Sequence, residues 1–268
     1  MSIKSDLMKQ LAAAPEVEVI GIVAASGVGC GWSHGDELWT FSIPLLGWKV
    51  SGGQLNESSL NVRKEVPEHE TEALRGSMEP YDIVRLKVQL AEENVFGSPQ
   101  ALLRESFGKD DSDAELADHA TRLQEPVTFG DPQFGAFTLN RRVDRYEAMV
   151  SWAGDPARLT ILAGNSDAMN DSLAVARKLF AEEERWRARI VDYAVATLLS
   201  LKNDCWLDED ECELTAQQFA LRMKIDGISI MADGSFEFWY DDGDLFRGHW
   251  IKVCGNLSDG PNDADIPG

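Results

Sequence analysis

Residues 228–240 of the chain read Ile-Ser-Ile-Met-Ala-Asp-Gly-Ser-Phe-Glu-Phe-Trp-Tyr, and this stretch decides how the second half folds. Two runs rich in β-branched and aromatic residues meet at Asp233-Gly234, which is the strongest short signal for a β-hairpin. Along the second run, Phe236, Phe238 and Tyr240 stand at alternate positions, so their rings share one face of the strand. We therefore predict a hairpin with a two-residue turn whose aromatic face packs against a helix.

The residues after this hairpin predict a third strand at 245–253, entered through a turn at 241–244. Simple alternation along that strand places Arg247 and His249 on one face with apolar neighbours. An acidic residue on the adjacent strand, such as Glu237, is expected to pair with them. From Gly255 onward the chain is rich in Gly, Asn, Asp and Pro, and it is expected to be irregular.

The residues before the hairpin predict helices and further strands. Thr215 and Gln218 match a capping box, in which each side chain satisfies a backbone amide at a helix start. Between residues 170 and 201 apolar side chains recur with a period of about 3.6, which predicts one long helix or two that share a kink. A three-stranded meander is expected upstream, at residues 134–139, 145–152 and 158–162. The second half therefore predicts an α+β domain with an antiparallel sheet and a long helix.

The first half reads as strands broken by turns, at residues 18–25, 37–46, 59–66 and 82–90. A short helix is expected at residues 70–77, between the third and fourth of these strands. Strands in this number, with a helix at that place, suit a small closed barrel of the oligonucleotide/oligosaccharide-binding type. The fold class predicted for the chain is α+β, with a β-rich, barrel-like N-terminal domain.

A joint between the halves is expected at residues 108–126. Ser112 and Glu115 match a capping box that begins a short helix, and Pro126 ends it. The predicted domains are a β-rich domain at residues 1–110, a helical linker at 111–127 and an α+β domain at 128–268.

The chain of 268 residues has 46 acidic and 25 basic residues, a formal net charge of −21. Binding to nucleic acid or to an anionic membrane depends on clustered Lys and Arg, so this charge argues against both partners. The same field would attract a basic protein. The oligomeric state cannot be read from the sequence.

Neither a secretory signal nor a membrane anchor is expected. Residues 1–14 lack an apolar core, and the apolar run at 19–25 is too short to span a bilayer. Four cysteines without a CxxC pair fit reduced thiols better than a disulfide framework or a zinc site. We therefore expect a cytoplasmic protein with no cofactor and no metal.

The most concentrated polar cluster lies at residues 240–250. Its candidate binding residues, all assigned from the sequence, are Asp241, Asp242, Asp244, Arg247 and His249. Such carboxylates and a histidine could hold a divalent metal or place a base beside an acid, but they do not follow the EF-hand template. The alternative is a hairpin turn with solvated acidic neighbours and a structural histidine. A second acidic run, at 204–213, is expected to be a solvated loop between two helices.

The stretch 240–253, Tyr-Asp-Asp-Gly-Asp-Leu-Phe-Arg-Gly-His-Trp-Ile-Lys-Val, also resembles a known family. Together with Gly-Ala-Phe-Thr-Leu-Asn at 135–140, it is similar to the bacterial domain of unknown function 2262 over about residues 127–268. In that family a Trp is usual where Arg247 stands, and a Ser where Trp250 stands. The first half, around residues 81–103, resembles an uncharacterised module often joined to that family. The resemblance implies no activity.

The high acidity and the absence of a triad or zinc-protease motif favour a non-catalytic bacterial protein that binds another macromolecule. An immunity-type or regulatory protein is one instance of this class. The alternative is a metal-dependent or acid/base hydrolase that uses Asp241, Asp242, Asp244 and His249. No catalytic residue is assigned from the sequence.

Overall fold

A computed structural model describes residues 3–94, 97–209 and 211–267, and the chain divides into two compact units. Unit 1 comprises Met1–Glu125 with Arg141–Val143, and unit 2 comprises Pro126–Asn140 with Asp144–Gly268. Each unit has its own hydrophobic core.

The described residues of unit 1 form six strands and three α-helices. In chain order these are α1 (Ile3–Ala13), β1 (Glu16–Val23), β2 (Gly29–Gly31), β3 (Trp39–Val50), β4 (Asn56–Val66), α2 (Thr71–Arg75), β5 (Ile83–Ala91), β6 (Gln100–Lys109) and α3 (Ala114–Gln124). The strand β6 and the helix α1 are elements that the sequence analysis did not predict.

Five of these strands close into a barrel in the order β1–β5–β6–β4–β3, because β1 pairs with both β5 and β3. All neighbours are antiparallel except β4 and β6, and α2 lies between the third and fourth barrel strands. The predicted small barrel is confirmed, with the connectivity of the oligonucleotide/oligosaccharide-binding type. At Gly21 an added Cβ would lie 3.0 Å from Trp48 Cβ and 3.2 Å from the Gly47 carbonyl oxygen, so a larger residue would force β1 and β3 to shift.

Helix α3 packs onto the barrel instead of standing free as a linker. Its Leu116 and Ala120 are buried against Ile20, Ile22 and Ile83. This helix is capped differently from the prediction, because the carboxylate of Asp113, and not the hydroxyl of Ser112, accepts from the backbone amide of Leu116 (3.0 Å).

Within the part of unit 2 that the structure describes there are eight strands and three helices. They are β7 (Thr128–Asp131), β8 (Gly135–Asn140), β9 (Arg145–Trp152), β10 (Asp155–Leu162), α4 (Ser166–Ala181), α5 (Glu183–Cys205), α6 (Ala216–Arg222), β11 (Lys224–Ile230), β12 (Ser235–Asp241), β13 (Trp250–Asn256) and β14 (Gly260–Asp265). The strands form one sheet in chain order, antiparallel throughout except between β10 and β11, where the three helices cross over. The predicted α+β class with a long helix is confirmed.

The long helical region is two helices, because the backbone leaves the α conformation at Glu182 (φ −129°, ψ 39°). The capping box of Thr215 and Gln218 is present with both of its hydrogen bonds. None of the helices in the described ranges has the length and apolarity needed to cross a bilayer.

The predicted hairpin joins β11 and β12, and Phe236, Phe238 and Tyr240 are all buried on the face that packs against helices. Its connection has three residues instead of two. The amide of Gly234 bonds to the carbonyl of Met231 (3.2 Å), and Gly234 then adopts a left-handed φ of +92°. That geometry is a type I turn followed by a bulge, which is the next commonest hairpin solution.

Two predictions downstream of the hairpin are wrong. The third strand begins at Trp250 and not at residue 245, and the tail expected to be irregular forms β14, which pairs with β13. The chain cannot extend over residues 242–249 because Asp244 and Arg247 have left-handed φ values of +64° and +58°.

Candidate functional site

The sequence cluster at residues 240–250 folds as a loop that is organised by one buried carboxylate. Asp242 is 3% exposed, and its oxygens accept hydrogen bonds from the backbone amides of Asp244, Phe246 and Gly248. Leu245, within the loop, is fully buried. Because the carboxylate of Asp242 is occupied by amides, its role here is to hold the loop.

The neighbouring acidic residues point to solvent. Asp241 is exposed, and its carboxylate accepts from the amide of Gly243 (2.9 Å). Asp244 is also exposed. No group of three His, Cys, Asp or Glu side chains within the described ranges is arranged to hold a metal ion.

Arg247 and His249 do not share a strand face, as alternation predicted, because both lie in the loop. The guanidinium of Arg247 approaches Asp208 (3.4 Å) and lies 6.0 Å from the ring centroid of Trp206. The His249 ring meets the same Trp206 edge-on, with centroids 5.7 Å apart. The expected partner, Glu237, instead accepts a hydrogen bond from the indole of Trp239 (3.3 Å).

Part of the acidic run at 204–213 is internal. Glu211 binds the ammonium of Lys202, which is 1% exposed, and the guanidinium of Arg222 (2.9 Å). The hydrogen bond from Lys202 lowers the pKa of Glu211. Asp210 of this run lies outside the described residues. Glu211 therefore ties the α5–α6 loop to both helices.

A groove between α5, α6 and the sheet is a candidate site in unit 2. Its cavity volume is about 310 Å³. Its lining residues come from four parts of the sequence and are Trp152, Asp155, Glu184, Arg187, Ala188, Val191, Asp192, Gln217, Ala220, Leu221, Met223, Ile225 and Tyr240. The buried members Trp152, Met223 and Tyr240 form its inner end, and the charged members lie at its exposed rim.

Two polar groups at the inner end have no hydrogen-bond partner among the described residues. They are the indole nitrogen of Trp152, a residue 1% exposed, and the hydroxyl of Tyr240, a residue 3% exposed. Most buried polar groups in folded proteins are paired, and each unpaired one costs about 1–3 kcal/mol. Two such groups lining one cavity are unusual for a purely structural core.

Electrostatics keep the Tyr240 hydroxyl in its protonated form. Burial raises the pKa of the Tyr240 phenol, and the positive charge of Arg187 only partly opposes this effect. Arg187 is itself about half exposed and lies 4.0 Å from a carboxylate oxygen of Glu184. Two neutral donors and a cation therefore belong to residues that line the groove, and the two donor atoms themselves are shielded from solvent.

Sequence reasoning missed this groove. Tyr240 was correctly placed on the aromatic face of its strand, but pattern alone predicts three packed rings and no orphan hydroxyl. Trp152 ends a predicted strand and carries no motif. The groove forms where α5 and α6 meet over the ends of strands that are distant in sequence. The local spacing of residues does not report such a contact.

The fold and the groove define a two-domain protein, a closed β-barrel followed by an α+β unit with a groove under its helices. The chain belongs to the family described as an uncharacterized protein conserved in bacteria, DUF2262, which matches residues 131–266. Residues 4–123 match a second domain of unknown function, DUF7021. Both resemblances expected from the sequence are confirmed. No curated protein matches the chain.

Solved structures similar to the chain include the wild-type single-stranded DNA binding protein from Thermus aquaticus, at 14% identity and a TM-score of 0.24. A deletion mutant of that protein matches at 15% identity and a TM-score of 0.25. The matches cover 55% of this chain and 72% or 73% of theirs. A likeness this weak carries no argument about function.

These matches nevertheless contradict the partner prediction, which excluded nucleic acid and favoured a basic protein. The similar structures are of a single-stranded DNA binding protein, so the exclusion of nucleic acid is withdrawn. That exclusion was drawn from the net charge, which averages over the whole surface, whereas a binding partner contacts one local patch. Neither the exclusion of nucleic acid nor the preference for a basic protein is carried further.

Proposed function

We propose that this chain is a non-catalytic regulatory protein that acts by binding, and that its α+β unit binds a small molecule in the groove between α5 and α6. The observation that carries the proposal is the pair of unpartnered buried donors, Trp152 Nε1 and Tyr240 Oη, in the lining of one cavity. A ligand that accepts from them would remove the cost of leaving them unpaired.

The size and composition of the groove fit this role. Its volume of about 310 Å³ lies at the lower end of the range of small-molecule sites, about 300–1,000 Å³. Such sites combine apolar and aromatic walls with a few polar groups that fix orientation. The described residues that line the groove include no Ser, Thr, Cys, His or Lys, and the carboxylates among them lie at the exposed rim.

The hydrolase alternative has less support from the geometry. It would use the cluster of Asp241, Asp242, Asp244 and His249. The Asp242 carboxylate already accepts from three backbone amides, and the His249 ring packs against Trp206. A general base needs a free lone pair within reach of a substrate proton.

A groove-blocking variant tests the proposal. Ala188 lies in the lining and Ala196 is exposed on the same helix outside it, so Ala188→Trp and Ala196→Trp form a matched pair. We expect compounds from a metabolite library to raise the melting temperature of the parent and of Ala196→Trp, and to have no effect on Ala188→Trp.

Two outcomes count against the proposal. One is an equal response of Ala188→Trp and the parent to every compound. The other is hydrolytic activity, with or without added divalent metal, that Asp242→Asn or His249→Ala abolishes while the variant stays folded.

A further inference from the structure

The polar groups at the inner end of the groove restrict what a ligand can place there. The indole of Trp152 is a donor only, and the protonated hydroxyl of Tyr240 also has a proton to donate. Neither group has a hydrogen-bond partner among the residues that the structure describes. A ligand atom that satisfies them must therefore be a hydrogen-bond acceptor.

Arg187 is the one cationic side chain among the described residues that line the groove. Its field reaches the Tyr240 hydroxyl, where it opposes the effect of burial on the pKa. Its ion pair with Glu184 is long, at 4.0 Å, and the Glu184 side chain is 75% exposed, so the pair is weak. The guanidinium is thus free to turn toward an anion, and it matches a carboxylate with two parallel hydrogen bonds.

The rim limits how much negative charge the ligand can carry. Three carboxylates, those of Asp155, Glu184 and Asp192, stand in the lining against the single guanidinium of Arg187. Like charges at this range repel, so a ligand with several phosphate charges is disfavoured relative to a monoanion.

The other residues that line the groove favour a ligand with an apolar body. Val191, Met223, Ile225 and Leu221 line the groove, and Leu221 is 74% exposed. A ligand body lying along them would cover apolar surface that is now in water. A volume of about 310 Å³ equals that of about ten water molecules at about 30 Å³ each, which is enough for a small organic molecule.

This inference rests on the proposed small-molecule groove. We propose that the ligand of the groove is a small organic monocarboxylate with an apolar body. The carboxylate binds to the guanidinium of Arg187 and accepts from the Tyr240 hydroxyl, while the Trp152 indole supplies a second donor. Both donor atoms are shielded from solvent in the unliganded protein, so a side chain over them moves on binding. The flexible Met223 can shift without breaking a hydrogen bond.

Phenylacetate and its neutral isostere phenylacetamide are the probes that test the ligand class. Binding is measured by NMR titration of the full chain. We expect phenylacetate to bind the parent at least about tenfold more tightly than phenylacetamide, since hydrogen bonds to a charged group are the stronger kind. Arg187→Gln and Tyr240→Phe should each weaken phenylacetate binding by about tenfold. Arg185→Gln, on the same helix but outside this groove, should leave it unchanged.

The outcomes separate this inference from the proposed function. If both probes bind equally well, and Ala188→Trp abolishes binding of both, the groove is a ligand site and the carboxylate class is rejected. If neither probe binds the parent, the monocarboxylate inference is rejected, and the proposed function is then decided by the library comparison of Ala188→Trp with Ala196→Trp. Equal affinities of Arg187→Gln and the parent for phenylacetate would also overturn the assigned role of Arg187.

Discussion

At the scale of single residues, Asp241 at the end of β12 and Asp242 at the start of the following loop have different roles although they are neighbours in sequence. Asp242 is buried and serves three backbone amides, whereas Asp241 is exposed and serves one. Amino-acid composition alone does not distinguish these two aspartates. The difference comes from which side of the strand end each side chain leaves, because successive residues point to opposite faces.

This difference leads to a stability prediction. Asp242→Ala should lower the free energy of unfolding of unit 2 by about 3 kcal/mol or more, since it leaves buried amides without an acceptor. Asp241→Ala should cost less than about 1 kcal/mol. Urea denaturation followed through hydrogen exchange of the β13 amides measures both values, and equal costs would contradict the role of Asp242.

The Tyr240 hydroxyl leads to a second stability prediction, in which the substitution does not lower the free energy of unfolding. Tyr240→Phe removes a buried polar atom that has no partner, so the unliganded variant should be as stable as the parent or more stable by about 1 kcal/mol. Phe keeps the packing of the ring. Chemical denaturation of both proteins without ligand checks this, and a loss of more than about 1 kcal/mol would mean that the hydroxyl has a partner in solution.

At the scale of elements, most helices and strands could be predicted. The misjudged loop at 242–249 and the missed groove share one physical cause. The capping box of α6 and the alternation in β12 are local signals, and both were found in the structure. The loop at 242–249 was misjudged because its conformation depends on burial of Asp242, which alternation does not report. The groove was missed for the same reason, since it depends on contacts between distant segments.

Helix α3 provides an element-scale prediction. Asp113→Ala should cost about 0.5–2 kcal/mol through loss of the N-cap, while Ser112→Ala should cost little. Asp113 also accepts from the ammonium of Lys49 (2.9 Å), which lowers the pKa of the Asp113 carboxyl. Hydrogen exchange of residues 114–124 in the two variants decides which residue is the cap.

The same helix should respond to acid in a definite direction. Because the folded pKa of Asp113 lies below its unfolded value of about 3.9, its contribution to stability is fully present above that pH. The contribution is lost as the pH falls through the folded pKa. Lys49→Met should reduce this acid dependence, and an unchanged pH profile of α3 protection would show that Lys49 is not its source.

At the scale of the whole molecule, the chain contains two cores that are built separately. One lies inside the barrel of unit 1, and the other lies between the sheet and the helices of unit 2. A smaller cluster joins α3 to the outside of the barrel through Leu116 and Ala120. The two units are therefore expected to fold independently only if each fragment keeps the elements that complete its core.

The placement of the fragment boundary tests this directly. The sequence analysis ended the first domain at residue 110, whereas the contacts of α3 extend unit 1 to Glu125. Fragment 1–125 should melt cooperatively, while fragment 1–110 exposes Ile20, Ile22 and Ile83 and should lose on the order of 2–5 kcal/mol, the range for removing a buried Leu side chain. Circular dichroism melts of the two fragments make the comparison. A fragment 1–110 as stable as 1–125 would show that α3 is a linker after all, and a fragment 1–125 without a cooperative transition would show that the barrel needs the rest of the chain.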